Sequence, residues 1–292
     1  MKKIFTLITG LLALITGFHS GAQSNTSAKD HSLLWRISGK DLTKPSYLFG
    51  TIHMICPDDF LWTEKMKEGF KRSEKVCFEM DLDDPALVME ASMGLIDETG
   101  KRLKDYFTQD QYLILERYMK DSLGVDINIF AQMKPVALLS MIGTSGISCQ
   151  NAVSYEDSLM KIAKKEHKSI LGLEAAAEQL AVLQSIPADS VVQQIMDAIQ
   201  NNTTSDTDFQ QLVNTYKKQD LPALYTLLTS SKELGNSLDL FLDDRNKKWI
   251  PRMNDKMNKS SVFFAVGAGH LYGNNGVINL LRKDGYTVDA IK

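Results

Sequence analysis

The sequence Val262-Phe263-Phe264-Ala265-Val266-Gly267-Ala268-Gly269-His270 is an apolar run that ends in glycines and a histidine. A short apolar and aromatic run of this kind is typical of a buried β-strand. A second copy of the pattern lies near the start of the chain, where Tyr47-Leu48-Phe49 leads into Gly50-Thr51-Ile52-His53. Ligands bind α/β sheets at the carboxyl ends of the strands. The two copies therefore predict that His53 and His270 lie at one edge of a common sheet.

The other predicted elements favour an α/β fold with a large helical insertion. Further strands are predicted at Leu33–Ile37, Lys75–Asp81, Ser169–Leu173 and Tyr286–Asp289. The two strands nearest the start are expected to form a hairpin. Residues from about 84 to 258 are predicted to be mostly helical. Strands from both ends of the chain must then join one central mixed sheet, with an α+β-like order of elements.

Capping residues and prolines place several helix ends. Thr108-Gln109-Asp110-Gln111 is a capping box, and Ser154 precedes a second helix start. Pro57-Asp58-Asp59 is expected to open a helix. Pro251 is expected to kink or break the last helix of the middle region, because proline removes a helical hydrogen bond.

The first residues have the features of an export signal. Lys2 and Lys3 precede an apolar run from Ile4 to Phe18, and Ser20-Gly21-Ala22 fits a signal-peptidase site. We expect a signal peptide over residues 1–22, a flexible linker over 23–32 and a single domain over 33–292. This predicts an exported protein, periplasmic or secreted, with no transmembrane span after the signal is removed.

Charge and cysteine content narrow the classes of partner and site. Without Lys2 and Lys3 the chain has 31 basic against 36 acidic residues, which gives no support to a nucleic-acid partner. The three cysteines have no C-x-x-C spacing, so a zinc ribbon or a redox dithiol is not indicated. Cys77 is expected in the core. The sequence leaves open whether Cys56 and Cys149 pair, and it leaves the oligomeric state open.

Two histidines follow predicted strand ends and are candidates for chemistry. Gly50, Gly267 and Gly269 would allow tight turns and close approach beside His53 and His270.

Two histidines and a carboxylate make a three-ligand metal site that leaves a position open for water, and such a metal makes a hydroxide nucleophile near neutral pH. Glu79 is the first candidate for the carboxylate and Glu174 the second, because each follows or ends a strand. The alternative is that each histidine only caps its strand end by hydrogen bonding.

Arg245-Asn246 is a further candidate. An inward arginine could hold a substrate carboxylate or stabilise an oxyanion. The alternative is a solvated helix face. His31 and His167 lie in polar surroundings and are expected at the surface.

Several motifs in order resemble the TraB/PrgY/GumN family, which includes the Tiki proteins and belongs to a wider erythromycin-esterase/ChaN-like superfamily. The resemblance is carried by motifs spread over nearly the whole chain after residue 22: Leu48-Phe49-Gly50-Thr51-Ile52-His53, Phe78-Glu79-Met80-Asp81, Gly172-Leu173-Glu174 with Gln179, Arg245-Asn246, and Phe264 through Gly276-Val277 to Val288.

The resemblance implies a metal-dependent hydrolase, most simply a peptidase acting on a peptide or protein. Carried over, it assigns His53 and His270 to a divalent ion (Mn, Co or Zn) and Glu79 to the ion or to general-base catalysis. Arg245 and Glu174 are the further catalytic candidates, and Asn246 supports them. Two alternatives stay open: an envelope protein that binds a peptide, haem or other ligand without turnover, and a metal-free, esterase-like hydrolase with histidine as base.

Overall fold

The computed structural model describes residues 31–143, 147, 149, 151–200, 206–229 and 239–292. Within these residues six strands form one sheet: β1 Leu34–Ser38, β2 Ser46–Thr51, β3 Lys75–Met80, β4 Ser169–Glu174, β5 Val262–Gly267 and β6 Thr287–Ile291. The α-helices among them are α1 Glu64–Arg72, α2 Pro85–Gly94, α3 Gln109–Asp121, α4 Val136–Gly143, α5 Tyr155–Lys165, α6 Ala176–Gln184, α7 Ala188–Gln200, α8 Asp206–Lys217, α9 Leu221–Thr229, α10 Asp244–Met257 and α11 Val277–Lys283.

The strand order β4-β3-β5-β2-β1-β6 confirms the predicted α/β fold with a mixed sheet. Strands β4, β3, β5 and β2 are parallel to one another, whereas β1 is antiparallel to both β2 and β6. The predicted hairpin of β1 and β2 is confirmed. Because four neighbouring strands run in the same direction, their carboxyl ends lie along one edge of the sheet.

The sheet lies in the largest of the three hydrophobic clusters that the described residues form. Every residue of β2 and β5 is buried, as expected for parallel strands covered on both faces. Helix α10 packs Trp249, Met253 and Met257 into this core. A second core joins the helices of the middle region, with Leu115, Leu138 and Ile195 among its fully buried members.

The structure corrects two of the proline-based predictions: no α-helix begins at Pro57, and the helix that contains Pro251 is not broken there, while a kink at Pro251 stays a prediction. Pro57–Asp59 forms only a 3-10 turn, and the α-helix begins at Glu64, because the Thr63 hydroxyl accepts the Met66 N–H and supplies the cap. Helix α10 continues through Pro251. Pro251 and Lys247, whose carbonyl loses its partner, are both exposed, so water replaces the missing hydrogen bond while the opposite face of the helix stays packed.

Other sequence-based boundaries are confirmed. Thr108 caps α3 with the expected capping box, and Ser154 caps α5. The predicted signal peptide and most of the linker lie outside the described residues. No helix in the part of the chain that the structure describes is long and apolar enough to cross a membrane.

The structure answers the cysteine question that the sequence left open. Cys56 and Cys149 form a disulfide, and Cys77 is a buried free thiol in the core. The disulfide lies beside an isolated antiparallel bridge in which Ile55 and Val153 exchange both backbone hydrogen bonds. The segment after β2 is thereby fastened to the segment before α5.

Candidate functional site

The carboxyl edge of the four parallel strands collects the charged side chains predicted from the sequence. Thr51 at the end of β2 pairs with Gly267 at the end of β5, and Met80 at the end of β3 pairs with Glu174 at the end of β4. The chain continues from the end of β2 to His53 and from the end of β5 to His270. Glu79 lies in β3, one residue before Met80. A buried arginine from α10 reaches the same edge.

Arg245 is the centre of this group, and each of its five N–H bonds has an acceptor inside the protein. Its Nε donates to both oxygens of Glu174 (3.1 and 3.2 Å), and its Nη2 donates to Glu79 Oε2 (2.6 Å) and to Glu174 Oε1. Its Nη1 donates to the Phe241 carbonyl and lies 3.2 Å from His270 Nε2. A guanidinium has five N–H donors, so none is left over for a substrate in this arrangement.

The contacts of His270 define its tautomer. A guanidinium only donates hydrogen bonds, so Nε2 of His270 must accept from Arg245 and the ring proton must be on Nδ1. Nδ1 then donates to Asn246 Oδ1 at 2.7 Å, while the Asn246 amide group donates to the backbone carbonyls of His270 and Asn275. His270 is completely buried, and burial lowers its pKa to about 3. The imidazole is therefore neutral near pH 7.

The Glu79 carboxylate is held in its charged form. Burial alone would raise the pKa of Glu79, but the charge of Arg245, the largest opposing effect, and the N–H of Gly267 contribute to holding it at about 2. That N–H donates to Glu79 Oε1 at 2.8 Å. A carboxylate with so low a pKa is a weak general base near neutral pH.

Glu174 accepts two further hydrogen bonds besides those from Arg245. Trp249 Nε1 donates to its Oε2 at 3.2 Å, and Gln179 Nε2 donates to its Oε1 at 2.9 Å. The Trp249 ring also lies against His270, with ring centroids 4.4 Å apart.

His53 lies beside a different carboxylate, Glu156 at the start of α5. Its Nδ1 is 3.4 Å from Glu156 Oε1, without hydrogen-bond geometry to any group of the described residues. Thr51 Oγ1 donates to Glu156 Oε1 at 2.8 Å, and Ser154 Oγ donates to Oε2 at 2.9 Å. Burial lowers the pKa of His53, but the interactions with Glu156 and the charge of Glu79 together outweigh burial, so the net pKa is raised. The His53 side chain keeps 11% of its surface exposed, whereas that of His270 keeps none.

The structure brings most of the predicted site residues to one place. Glu79, Glu174, Arg245, Asn246 and His270 form one hydrogen-bonded network, with His270 Nε2 at 3.8 Å from Glu79 Oε1. His53 interacts electrostatically with Glu79 but has Glu156 as its contact. Of the histidines expected at the surface, His167 is exposed and His31 is half-buried near Asp220.

The predicted glycines are close to this network. A Cβ added at Gly267 would lie 3.3 Å from Glu79 Oε1, and one at Gly50 would lie 3.0 to 3.1 Å from Leu271 and Ala268. Gly50 thus lets β2 approach the turn that carries His270. Gly269 is buried within that turn.

Sequence reasoning missed Glu156 and Trp249. Glu156 follows the capping residue Ser154, where an acidic residue is usually a solvated part of the first helical turn. The signal that could have found it is the adjacent Tyr155, an aromatic residue in a first turn, which is fully buried here. Trp249 is four residues after Arg245, on the same face of one helix.

A divalent ion does not fit the predicted ligand set in this arrangement. Among the residues that the structure describes, no three His, Cys, Asp or Glu side chains are placed to hold a metal ion. The lone pair of His270 Nε2 and the facing oxygen of Glu79 are both taken by Arg245.

Comparison with known proteins places this site in a family. Metalloprotease TIKI1 of Danio rerio is 25% identical over 330 residues, which cover 94% of this chain and 66% of that protein. Metalloprotease TIKI1 of Homo sapiens is 24% identical over 316 residues, covering 89% of this chain and 62% of that protein. The chain thus spans less than two thirds of the length of these relatives. The uncharacterized protein YbaP of Shigella flexneri is 24% identical over 255 residues, covering 83% of this chain and 91% of that protein.

No solved structure matches the chain. The model of the TraB/PrgY/gumN family matches residues 33–290, which include five strands, all but the last residue of β6, and every residue of the network around Arg245. That match covers most of the chain, and the chain belongs to the TraB/PrgY/gumN family.

Proposed function

We propose that the protein is a hydrolase that cleaves peptide bonds at the carboxyl edge of its sheet, with His53 as general base. The observation that carries the proposal is the pairing of His53 with the buried carboxylate of Glu156. His53 is also the imidazole of the site that reaches solvent. The relatives' printed name, metalloprotease, supplies the peptide bond as the bond type.

The proposed reaction uses His53 twice. Its imidazole accepts a proton from a water molecule as that water attacks the amide carbonyl. The negative charge of Glu156 stabilises the imidazolium that forms, as the carboxylate does in a catalytic triad. The imidazolium then gives its proton to the leaving amine, so that the products are a carboxylic acid and an amine. A base whose pKa lies near the working pH is well suited to both transfers.

The network around Arg245 has a positioning role in this proposal. The guanidinium keeps Glu79 ionised and holds Glu174 in place by hydrogen bonds, and the His270 ring is locked between Arg245, Asn246 and Trp249. This charged, hydrogen-bonded wall is preorganised, so it costs no rearrangement during the reaction. Because the residues do not fit a divalent ion, no step is assigned to one.

Digestion of a peptide library by the mature protein tests the proposal. Reactions with a chelator and with added manganese, cobalt or zinc are run in parallel, and the products are identified by mass spectrometry. We expect cleavage at defined bonds, and we expect it to be reduced by about 10²- to 10⁴-fold in His53→Ala, as for loss of a general base. Saturable ligand binding without any cleavage would contradict it and favour the binding-protein alternative.

We also propose that the chain is exported. The sequence of residues 1–22 supports export, and so does the Cys56–Cys149 disulfide, because disulfides persist in oxidising compartments. N-terminal sequencing of the protein recovered from the periplasm or the medium should begin at Gln23. An intact Met1 on protein found only in the cytosol would contradict this proposal.

A further inference from the structure

The three acceptors that face Arg245 are the types of group that a divalent ion prefers. Glu79 and Glu174 offer carboxylate oxygens, and His270 offers the lone pair of a neutral imidazole. Zinc, manganese and cobalt are commonly held by imidazole nitrogen and carboxylate oxygen. These groups converge here on the guanidinium, which uses all five of its N–H bonds on Phe241 and on the three acceptors.

The outer contacts of these acceptors also resemble those around a bound metal. A metal-binding histidine usually donates its second ring N–H to an oxygen, which fixes the ring. His270 does so through Asn246 Oδ1, and Glu174 is fixed by Trp249 and Gln179. Glu79, Glu174 and His270 are therefore held in fixed orientations, and the cation that they contact is the guanidinium of Arg245.

An ion could not join Arg245 at this position. A metal requires donor atoms at about 2.0–2.3 Å, so it would need the same lone pairs that the N–H bonds occupy. Two cations in one buried site would also repel each other strongly. The guanidinium cannot lose its charge under physiological conditions, since its pKa is far above neutrality and is raised further here by Glu79 and Glu174.

We infer that Arg245 takes the place of a divalent ion in this chain, and that the site forms and works without a bound metal. The inference rests on the proposed function only where it concerns cleavage. Metal content is a separate property and can be measured whether or not a substrate is found.

Equilibrium dialysis against manganese, cobalt or zinc, followed by elemental analysis, tests the inference directly. The mature wild-type chain should retain no ion above the level of a blank. Arg245→Gln should gain a bound ion, because Glu79, Glu174 and His270 lose their cation. Arg245→Lys should bind none. Arg252→Gln is the matched control on the same helix, since Arg252 also pairs with a carboxylate, Glu178, and should bind none.

Stoichiometric metal in the wild-type chain would overturn the inference. So would the absence of a bound ion in an Arg245→Gln variant whose circular dichroism shows it to be folded. If that variant does not fold, the wild-type measurement still decides. In the cleavage assay, activity that resists a chelator supports the inference, whereas activity lost with the chelator and restored by metal overturns it and leaves the proposed function intact. Complete lack of cleavage counts against the proposed function alone.

Discussion

Individual side chains divide the site into a fixed part and a part that can change its protonation. Arg245, Glu79, Glu174 and His270 are held by one another, and the charges of Arg245, Glu79 and His270 stay constant near neutral pH. His53 is separate from them and has a raised pKa beside Glu156. This division is the reason for assigning proton transfer to His53 and positioning to the residues around Arg245.

The lowered pKa values of His270 and Glu79 predict that acid destabilises the fold. A group with a lowered folded-state pKa contributes stability above its unfolded-state value and loses it as the pH falls. For His270 the loss starts near pH 6.5 and continues toward pH 3, and for Glu79 it starts near pH 4.5 and continues toward pH 2. Urea unfolding between pH 7 and 4.5 should show the free energy of unfolding falling by up to about 1.4 kcal/mol per pH unit.

His270→Gln should remove most of that slope between pH 6.5 and 4.5. His167→Gln is the matched control, because His167 is exposed, and it should keep the wild-type slope. If the free energy of unfolding of His270→Gln depended on pH as it does in the wild type, the pH dependence would not come from His270.

Glu156→Gln should lower the pKa of His53. The variant keeps the shape of the side chain but removes the charge that contributes most to raising the pKa of His53 against the effect of burial. NMR titration of the His53 ring measures this change directly. Asp157→Asn is the control, since Asp157 is the adjacent acidic residue but pairs with Lys161 at the surface. A His53 pKa equal to that of the wild type in Glu156→Gln would refute the proposed role of Glu156.

The sequence predicted the site residues at the strand ends better than the side chains that helices contribute to the site. The two glycine–histidine strand ends, Glu79 and Glu174 were all located from apolar runs that end in polar residues. Glu156 and Trp249 were missed because their roles depend on tertiary contacts between distant elements. The path of α10 through Pro251 was also missed, because the packing of its inner face outweighs a local preference.

Helix α10, which contains Pro251, allows the packing of its inner face to be compared with the unfavourable effect of proline inside a helix. Replacing Pro251 with alanine restores the N–H that can bond to the Lys247 carbonyl. We expect the variant to gain about 1–3 kcal/mol in the free energy of unfolding, because proline is unfavourable in a helix interior by about 3 kcal/mol. Lys248→Ala, an exposed change in the same turn, is the control and should have little effect. A clear loss of stability in Pro251→Ala would show that proline is required there.

The Cys56–Cys149 disulfide, which joins the segment after β2 to the segment before α5, should make the site sensitive to reduction. The disulfide closes a loop across a sequence separation of 93 residues, next to the His53–Glu156 pair. Breaking it should lower the free energy of unfolding by about 2–4 kcal/mol and slow peptide cleavage. Unfolding and cleavage are measured with and without a reductant, and the Cys56→Ala/Cys149→Ala double variant should not respond to the reductant. A response in that variant would point to Cys77 instead.

The whole molecule depends on strands from both ends of the chain. The last strand, β6, pairs with β1, and β1 pairs with β2, which leads to His53. The hydrophobic pattern identified these strands, but their order in the sheet became known only from the structure, because pattern alone does not say which distant strands pair.

Removing residues 287–292 should therefore destabilise the molecule far more than the number of residues suggests. The truncation exposes the edge of β1 and removes the buried side chain of Val288 from the core. Unpaired strand edges promote aggregation. We expect a lower melting temperature and concentration-dependent aggregation, measured by circular dichroism and light scattering. Removal of Lys292 alone should leave both unchanged, and a truncated chain with the melting temperature of the wild type would contradict this view of the sheet.

The most direct test of the proposed hydrolase is the rate of peptide cleavage by His53→Gln on the best substrate from the library. The variant keeps a polar side chain of similar reach but cannot exchange a proton near neutral pH. We predict a loss of about 10²- to 10⁴-fold in kcat, with the fold intact by circular dichroism and with His167→Gln as active as the wild type. Cleavage by His53→Gln at the wild-type rate would contradict the assignment of His53 as general base.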